Sequence, residues 1–167
     1  MSTEFITILA NLALTLSLIV AVIFGIVQVN TAKRDRQERL TLETLRNFQT
    51  REFAELINYI NRTKFPDSYD KFRSLPGEDQ IKFIQYAQQM ESLGILLAGK
   101  FIDIDLVDKT LGSFVTSSWE KYKPIIQLMR ERTPDPYLAE YFQWMAEKIE
   151  KRMNEEHRKP FYESPVF

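Results

Sequence analysis

Hydrophobic side chains follow two different patterns along the chain. From Phe5 to Val29 the sequence is apolar on most sides of a helix and contains no charged side chain. A helix over this run extends for roughly 37 Å, whereas the hydrocarbon core of a bilayer is about 30 Å thick. Residues 1–30 are therefore predicted to form a transmembrane helix, and residues 31–167 a separate domain.

The charges that flank the apolar run predict its orientation in the membrane and whether it is cleaved as a signal peptide. Glu4 precedes the run, and four basic residues follow it closely, namely Lys33, Arg34, Arg36 and Arg39. Because cytoplasmic flanks are usually the basic ones, we expect the N-terminus outside and the larger domain in the cytoplasm. A signal peptide has a basic start and a small-residue cleavage site, and we find neither here. The pattern predicts a retained, single-pass anchor.

The side chains of the predicted span sort into three faces at about 100° per residue. One stripe carries the polar residues and is the candidate pore lining; it comprises Thr7, Asn11, Thr15, Leu18, Val22 and, nearer its edge, Gln28. A second stripe has small residues four apart, through which helices approach closely; it comprises Ala13, Ser17, Ala21 and Gly25. The bulky remaining side suits lipid. This pattern fits a ring of helices around an axis, and it also fits a plain anchor or a dimer.

Apolar residues after the span recur at helical spacing, without the alternation typical of strands. We therefore predict an all-α protein whose cytoplasmic part is a bundle of four or five helices. The predicted helices extend over about residues 31–62, 79–99 and 136–157, and two more begin near Asp103 and at Pro124. In the helix over residues 79–99, the side chains expected to point inward are Ile81, Ile84, Ala87, Met90, Leu93 and Leu97. In the helix over residues 136–157, they are Tyr141, Phe142, Met145 and Ile149.

The amino-acid composition excludes many kinds of enzyme active site. The chain has no cysteine, one histidine and a formal net charge of -1. Thiolate metal sites, disulfides and thiol nucleophiles are excluded, and so is a multi-histidine metal site within one chain. Asp103, Asp105 and Asp108 could suggest a metal site, but the first two lie at a predicted helix start, where carboxylates cap free N–H groups. We predict neither a metal nor a cofactor.

A basic segment follows the span directly. Between Lys33 and Arg51 there are six basic residues and three acidic ones. Such a segment can bind lipid headgroups or RNA phosphates. Because it adjoins the span, the surface of the lipid bilayer is the favoured partner.

The histidine, His157, lies five residues after Arg152 in the stretch "RMNEEH". This spacing resembles the Arg-x4–6-His motif of HEPN domains, helical bundles that pair so that two motifs build a metal-free RNase site. A histidine can relay the proton of a 2′-hydroxyl, and an arginine can bind the scissile phosphate. That family usually has a polar residue after the arginine, and Met153 departs from this pattern. In the simpler interpretation, His157 interacts with the carbonyl groups at the end of its own helix.

The layout of one N-terminal span, a helical bundle and a late "RMNEEH" resembles the small membrane accessory proteins of type VI-B CRISPR systems. The resemblance implies a HEPN-like bundle, a ring-like homo-oligomer and a pore in the bacterial inner membrane. It implies that permeabilising this membrane enhances antiviral defence by an RNA-guided ribonuclease, with RNA or that ribonuclease as a partner. Arg152 and His157 would then act at a subunit interface or in sensing.

A second resemblance rests on the stretch "ESLGILLAGKFIDIDLVDKTLGSFVTSSWEKYKPII". It is similar to a bacterial domain family of unknown function with one N-terminal span. Two alternative functions stay open. One is a membrane-tethered HEPN ribonuclease built on Arg152 and His157. The other is a membrane scaffold that docks a soluble partner through its aromatic tail, Phe161, Tyr162 and Phe167.

Overall fold

The computed structural model describes residues 3–133, 135–155 and 163. Six helices occur in this part of the chain: α1 Thr3–Asn47, α2 Arg51–Arg62, α3 Tyr69–Arg73, α4 Gly77–Ala98, α5 Ile104–Arg132 and α6 Glu140–Glu155. The described residues contain no strand, so the prediction of an all-α fold is confirmed. The chain divides into two compact units, Met1–Arg39 and Leu40–Phe167.

The first unit contains the N-terminal part of α1. Every residue from Thr3 to Arg36 is exposed, including all of the apolar ones. The helix is long and apolar enough to cross a membrane by length and composition, and none of its most apolar window, which lies within the described residues, is buried. Such a continuous apolar surface is costly in water and stable in lipid.

The predicted helix over residues 31–62 is divided in the structure, so its continuity was wrongly predicted. The break lies at Thr50, whose hydroxyl accepts a hydrogen bond from the backbone N–H of Phe53 at 3.2 Å and so caps α2. The rings of Phe48 and Phe53 pack edge to face across the break, with centroids 5.0 Å apart. A threonine cap with an aromatic pair therefore turns the chain where neither glycine nor proline marks the turn.

The second unit has its core around α6, which packs against both α4 and α5. Phe142, Met145 and Ile149 of α6 are completely buried, as predicted, whereas Tyr141, which was also expected to point inward, is only half-buried. The ring of Phe142 meets the rings of Tyr86, Trp119 and Tyr122. Burial of each such side chain stabilises the fold by about 1.5–3 kcal/mol, so this cluster accounts for much of the cohesion of the bundle.

The start of α6 is fixed by another helix. Ala139 precedes α6 with φ of 56°, a left-handed conformation that residues other than glycine rarely adopt. The carboxylate of Glu91 on α4 caps α6 from a distance. It accepts hydrogen bonds from the backbone N–H groups of Tyr141 at 3.2 Å and Phe142 at 2.8 Å. The position of α6 thus depends on polar as well as apolar contacts with α4.

The inward face of α4 was predicted only in part. Ile81 and Ile84 were expected to point inward, but they are 56% and 48% exposed. The buried face is instead formed by Phe83, Tyr86, Met90, Leu93, Gly94 and Leu97. Apolar residues occur on most sides of α4, so periodicity alone allows more than one inward face. The packing of α6 and α2 on α4 selects between them.

The predicted helix start at Pro124 was wrong, because α5 continues through this residue. Proline removes one helical hydrogen bond and leaves the carbonyl of residue 120 without its partner. Pro124 lies on the exposed side of α5, where water can bind that carbonyl. Tyr122, Ile125 and Ile126 beside it are buried in the core and hold the helix together across this point.

Candidate functional site

The two threonines of the polar stripe are satisfied by α1 itself. The hydroxyl of Thr7 donates to the carbonyl oxygen of Thr3 at 3.0 Å, and that of Thr15 donates to the carbonyl oxygen of Asn11 at 2.9 Å. Bonds to the carbonyl four residues earlier are a common way for threonine to satisfy its hydroxyl in membrane helices. These two residues are therefore compatible with lipid as well as with water.

Asn11 differs from its threonine neighbours. Its side chain is exposed, and its amide makes no hydrogen bond within the described residues. The residue lies about 9 Å along the helix from the middle of the apolar run. A primary amide transferred to an apolar medium without a partner costs roughly 2–7 kcal/mol. Within a bilayer, Asn11 therefore requires a partner from another chain or from water.

The small-residue stripe of α1 is exposed in the single chain. Ala13, Ser17, Ala21 and Gly25 are all exposed, and a Cβ atom added at Gly25 would meet nothing within 4 Å. Leu18, Val22 and Gln28 of the polar stripe are exposed as well. The chain itself thus leaves each predicted face of the span open to lipid or to another helix.

Arg152 lies on α6 and meets two carboxylates near the start of α5. Its Nη2 donates to Oδ1 of Asp105, and its Nε lies 3.8 Å from Oδ2 of Asp108. The Asp108 side chain is only 6% exposed, so part of this ion pair is shielded from water. An arginine beside two carboxylates attracts a phosphate less than one without them. His157 and the predicted docking tail, Phe161, Tyr162 and Phe167, lie outside the described residues.

The sequence did not indicate these partners of Arg152. Asp105 and Arg152 are 47 positions apart, and only the packing of α6 on α5 brings them together. Asp103 does cap α5 as predicted, because its Oδ1 accepts from the backbone N–H groups of Asp105 at 2.8 Å and Leu106 at 3.1 Å. In the part of the chain that the structure describes, no group of three His, Cys, Asp or Glu side chains is arranged to hold a metal.

The ionisable groups whose pKa is most strongly shifted belong to the core. Burial raises the pKa of Tyr86 to about 12, and burial also raises the pKa of Tyr122 well above the usual value. The hydroxyl of Tyr122 donates to the carbonyl oxygen of Phe83 at 2.9 Å. Both tyrosines are therefore neutral near pH 7 and serve packing rather than proton transfer.

The basic segment after the span is open to its surroundings. Lys33, Arg36 and Arg39 are exposed, and Arg34 forms an ion pair with Glu38 at 2.9 Å. Exposed ion pairs between residues four apart contribute only about 0.3–0.5 kcal/mol. The segment therefore retains basic side chains that suit an anionic lipid surface.

Together these features define a class: an all-α protein with a small helical bundle and one N-terminal helix that is long and apolar enough to span a membrane. The profile of a family described as a domain of unknown function, DUF4760, matches residues 15–149. The chain belongs to this family, which agrees with the second resemblance found in the sequence. Comparisons with curated proteins and with solved structures return no match. The resemblance to type VI-B CRISPR accessory proteins stays a prediction.

Proposed function

We propose that the protein is a retained, single-pass protein of the bacterial inner membrane whose spans assemble into a ring-like pore. Its N-terminus lies outside and its helical bundle lies in the cytoplasm. Asn11 carries the proposal, because it is an unsatisfied amide within an apolar run, beside an open stripe of small residues. Another copy packing on that stripe places Asn11 against the next chain or against enclosed water.

Retention of the span is supported by the course of α1. Thr41, Thr44 and Leu45 in the last turns of α1 are buried, and the helix is unbroken before them. A signal peptidase site would have to lie within this helix, where we find no convincing A-x-A pattern of small residues. The basic residues Lys33 and Arg36 favour the cytoplasm for the segment after the span.

The three faces of the span have separate roles in this proposal. Thr7, Asn11 and Thr15 line the polar part of the pore, and Leu18 and Val22 form a constriction that can close by losing water. The small residues contact the neighbouring span, and the bulky side faces lipid. Gln28 lies at the edge of the lining.

The proposal gives Arg152 a structural or sensing role in a HEPN-like bundle rather than a catalytic one. Its guanidinium is held beside Asp105 and Asp108, so its charge is offset where a nuclease would need it for the scissile phosphate. The proposed biological setting comes from the resemblance of the layout and of "RMNEEH". In that setting, opening the pore after viral RNA is recognised strengthens defence by an RNA-guided ribonuclease.

The principal test measures ion flux from liposomes that contain the purified full-length protein. Asn11→Leu should change the flux strongly, because it replaces the amide of the proposed lining. Ile23→Leu is the matched control, because it alters a lipid-facing residue and should leave the flux unchanged. Equal flux from both variants, or no flux from the wild type under any trigger, would overturn the pore.

A second test measures the mass of the complex in detergent. Ala13→Leu with Ala21→Leu fills the small-residue stripe and should reduce the particle to a smaller assembly. An unchanged mass would contradict packing through this stripe. Cleavage of labelled RNA by the wild type, but not by His157→Ala, would replace the proposal with a membrane-tethered nuclease.

A further inference from the structure

A cleft lies between α5 and α6 on the surface of the bundle, near the end of α6. Its volume is about 270 Å³. The lining includes Ser117, Trp119 and Glu120 of α5 and Glu150, Met153 and Asn154 of α6, and it is here called the α5–α6 cleft.

The two carboxylates of the cleft have no partner in the part of the chain that the structure describes. Glu120 and Glu150 are both exposed, and neither forms a hydrogen bond or an ion pair there. The lysines next to them in the sequence bind elsewhere. Lys121 donates to carbonyl oxygens at the end of α2, and Lys151 forms an ion pair within α6. Two carboxylates without partners on one cleft attract a cationic ligand.

Trp119 lines the cleft and has an unsatisfied polar group of its own. The residue is only 3% exposed, and its indole N–H has no hydrogen-bond acceptor among the described residues. A buried donor without an acceptor is costly, so a ligand that brings an acceptor is favoured. Met153 is 44% exposed, and its thioether is a good contact for an aromatic ring. The cleft therefore suits a ligand that combines cations, aromatic rings and carbonyl oxygens.

A segment with this composition follows α6 in the sequence. The stretch "RKPFY", Arg158–Tyr162, contains two cations and two aromatic side chains within five residues, and its backbone supplies carbonyl oxygens. It lies outside the described residues. Acidic residues flank it, Glu156 before it and Glu163 after it, and Glu163 is exposed. The charges and the aromatic groups of this segment complement those of the α5–α6 cleft.

The segment is also close enough to reach the cleft. On α6 the lining extends from Ala146 to Asn154, which is about 12 Å along the helix. The eight residues from Asn154 to Tyr162 extend for at most about 28 Å. Proline disfavours the continuation of a helix, so Pro160 favours a change of direction within this stretch. The chain after α6 is therefore long enough to leave the helix and return over the cleft.

We propose that the α5–α6 cleft binds the segment Arg158–Tyr162 of the same chain. The two cations of the segment pair with Glu120 and Glu150, and its aromatic side chains cover Trp119. A segment that is tethered to its site has a high effective concentration, so individually weak contacts suffice. A soluble partner that used the aromatic tail would first have to displace it from the cleft. This contact lies within the bundle and does not rest on the proposed pore.

The test uses the absence of cysteine from the chain. Ser117→Cys places a single thiol in the cleft of the purified full-length protein, and the rate of its reaction with a maleimide is measured. Arg158→Glu with Lys159→Glu should raise this rate by about fivefold, because two attractions become repulsions. Lys123→Cys, an exposed position of α5 outside the cleft, is the control, and its rate should not respond. An unchanged rate at position 117 would overturn the proposal.

A compensating variant excludes an indirect effect of folding. Glu120→Lys with Glu150→Lys, added to the reversed segment, restores opposite charges and should return the rate at position 117 to its original value. Such a return also excludes unfolding as the cause, because an unfolded bundle would stay reactive. A rate that remains high after compensation would contradict the pairing of these charges.

A second thiol distinguishes the segment of the same chain from that of another copy. Ser117→Cys with Tyr162→Cys should form a disulfide within one chain on mild oxidation, because disulfides form only between Cα atoms within about 7 Å. The product should keep the mass of a single chain on a denaturing gel and change only in mobility. A disulfide between two chains, or no disulfide at all, would contradict the proposal.

Discussion

Helix α6 and the apolar part of α1 differ in the burial of their apolar side chains. In α1, the residues from Phe5 to Val29 are almost all apolar, and every one of them is exposed. In α6, polar and charged residues predominate, yet Phe142, Met145 and Ile149 are completely buried. Burial therefore follows the arrangement of apolar residues rather than their number. A helix with one apolar stripe packs on protein through that stripe, whereas a long helix with an exposed apolar surface on most sides suits lipid.

This comparison predicts that the two regions fail independently, and the largest effect should come from a buried charge. Ile149→Asp places a carboxylate in the core of the bundle and should cost on the order of 5 kcal/mol, enough to unfold it. Ile23→Asp should instead weaken membrane insertion, by at most about 2.5–3.5 kcal/mol, the cost of a carboxylate at the centre of a span, and should leave the bundle folded.

Tryptophan fluorescence reports on the bundle, and extraction with alkaline carbonate reports on the span. Ile149→Asp should change the first measurement and not the second, and Ile23→Asp should do the opposite. Loss of bundle fluorescence in the Ile23→Asp variant would show that the span and the bundle are coupled.

Two glycines, Gly94 in the bundle and Gly25 in the apolar part of α1, allow the same comparison with a smaller substitution. A Cβ atom at Gly94 would lie 2.6 Å from the carbonyl carbon of Tyr141, in the backbone of α6, whereas one at Gly25 would meet nothing within 4 Å. Gly94→Ala should therefore lower the free energy of unfolding of the bundle by about 2–3 kcal/mol, because backbone cannot move aside cheaply.

Gly25→Ala is the matched control and should leave this free energy unchanged. Urea titration, with tryptophan fluorescence as the readout, measures the free energy of unfolding of both variants. Similar midpoints for Gly94→Ala and the wild type would contradict the close approach of α4 and α6.

Alkaline pH should act on the bundle and spare the span, because the span contains no tyrosine. The raised pKa of Tyr86, about 12, means that folding favours its neutral form. Its stabilising contribution, roughly 2–3 kcal/mol, is fully present below pH 10 and is lost as the pH rises through about 12.

Thermal unfolding measured between pH 9 and 12 should show this loss. Tyr86→Phe cannot ionise, so its stability should depend less steeply on pH over the same range. An identical pH dependence in this variant would show that other groups cause the alkaline loss.

The smallest predicted effect concerns the cap of α6. Glu91→Gln removes the charge that faces the first N–H groups of α6 and should cost about 1 kcal/mol. Glu150→Gln, at an exposed position of α6, should change stability by less than about 0.5 kcal/mol. Equal unfolding midpoints for the two variants, measured by urea titration, would mean that the long-range cap contributes nothing.

The parts of the fold that depend on local sequence could be predicted. The apolar run, the all-α composition and the cap at Asp103 are confirmed, and so are three of the four predicted inward residues of α6, while Tyr141 is only half-buried. The errors on α4 and at Pro124 have a common origin, because two local structures were acceptable and contacts with distant residues decided between them. The break within residues 31–62 was missed for another reason: its signal is local, a cap at Thr50 and the ring pair of Phe48 and Phe53, but it contains neither glycine nor proline.

For the candidate site, the sequence by itself determined the three faces of the span, because side chains on one helix are placed by their spacing alone. Only the tertiary structure decided that Arg152 meets Asp105 and Asp108 and that Glu91 caps α6. These features join residues far apart in the chain. They depend on which helix faces pack together, and helical spacing places side chains around one axis without specifying the neighbouring helix.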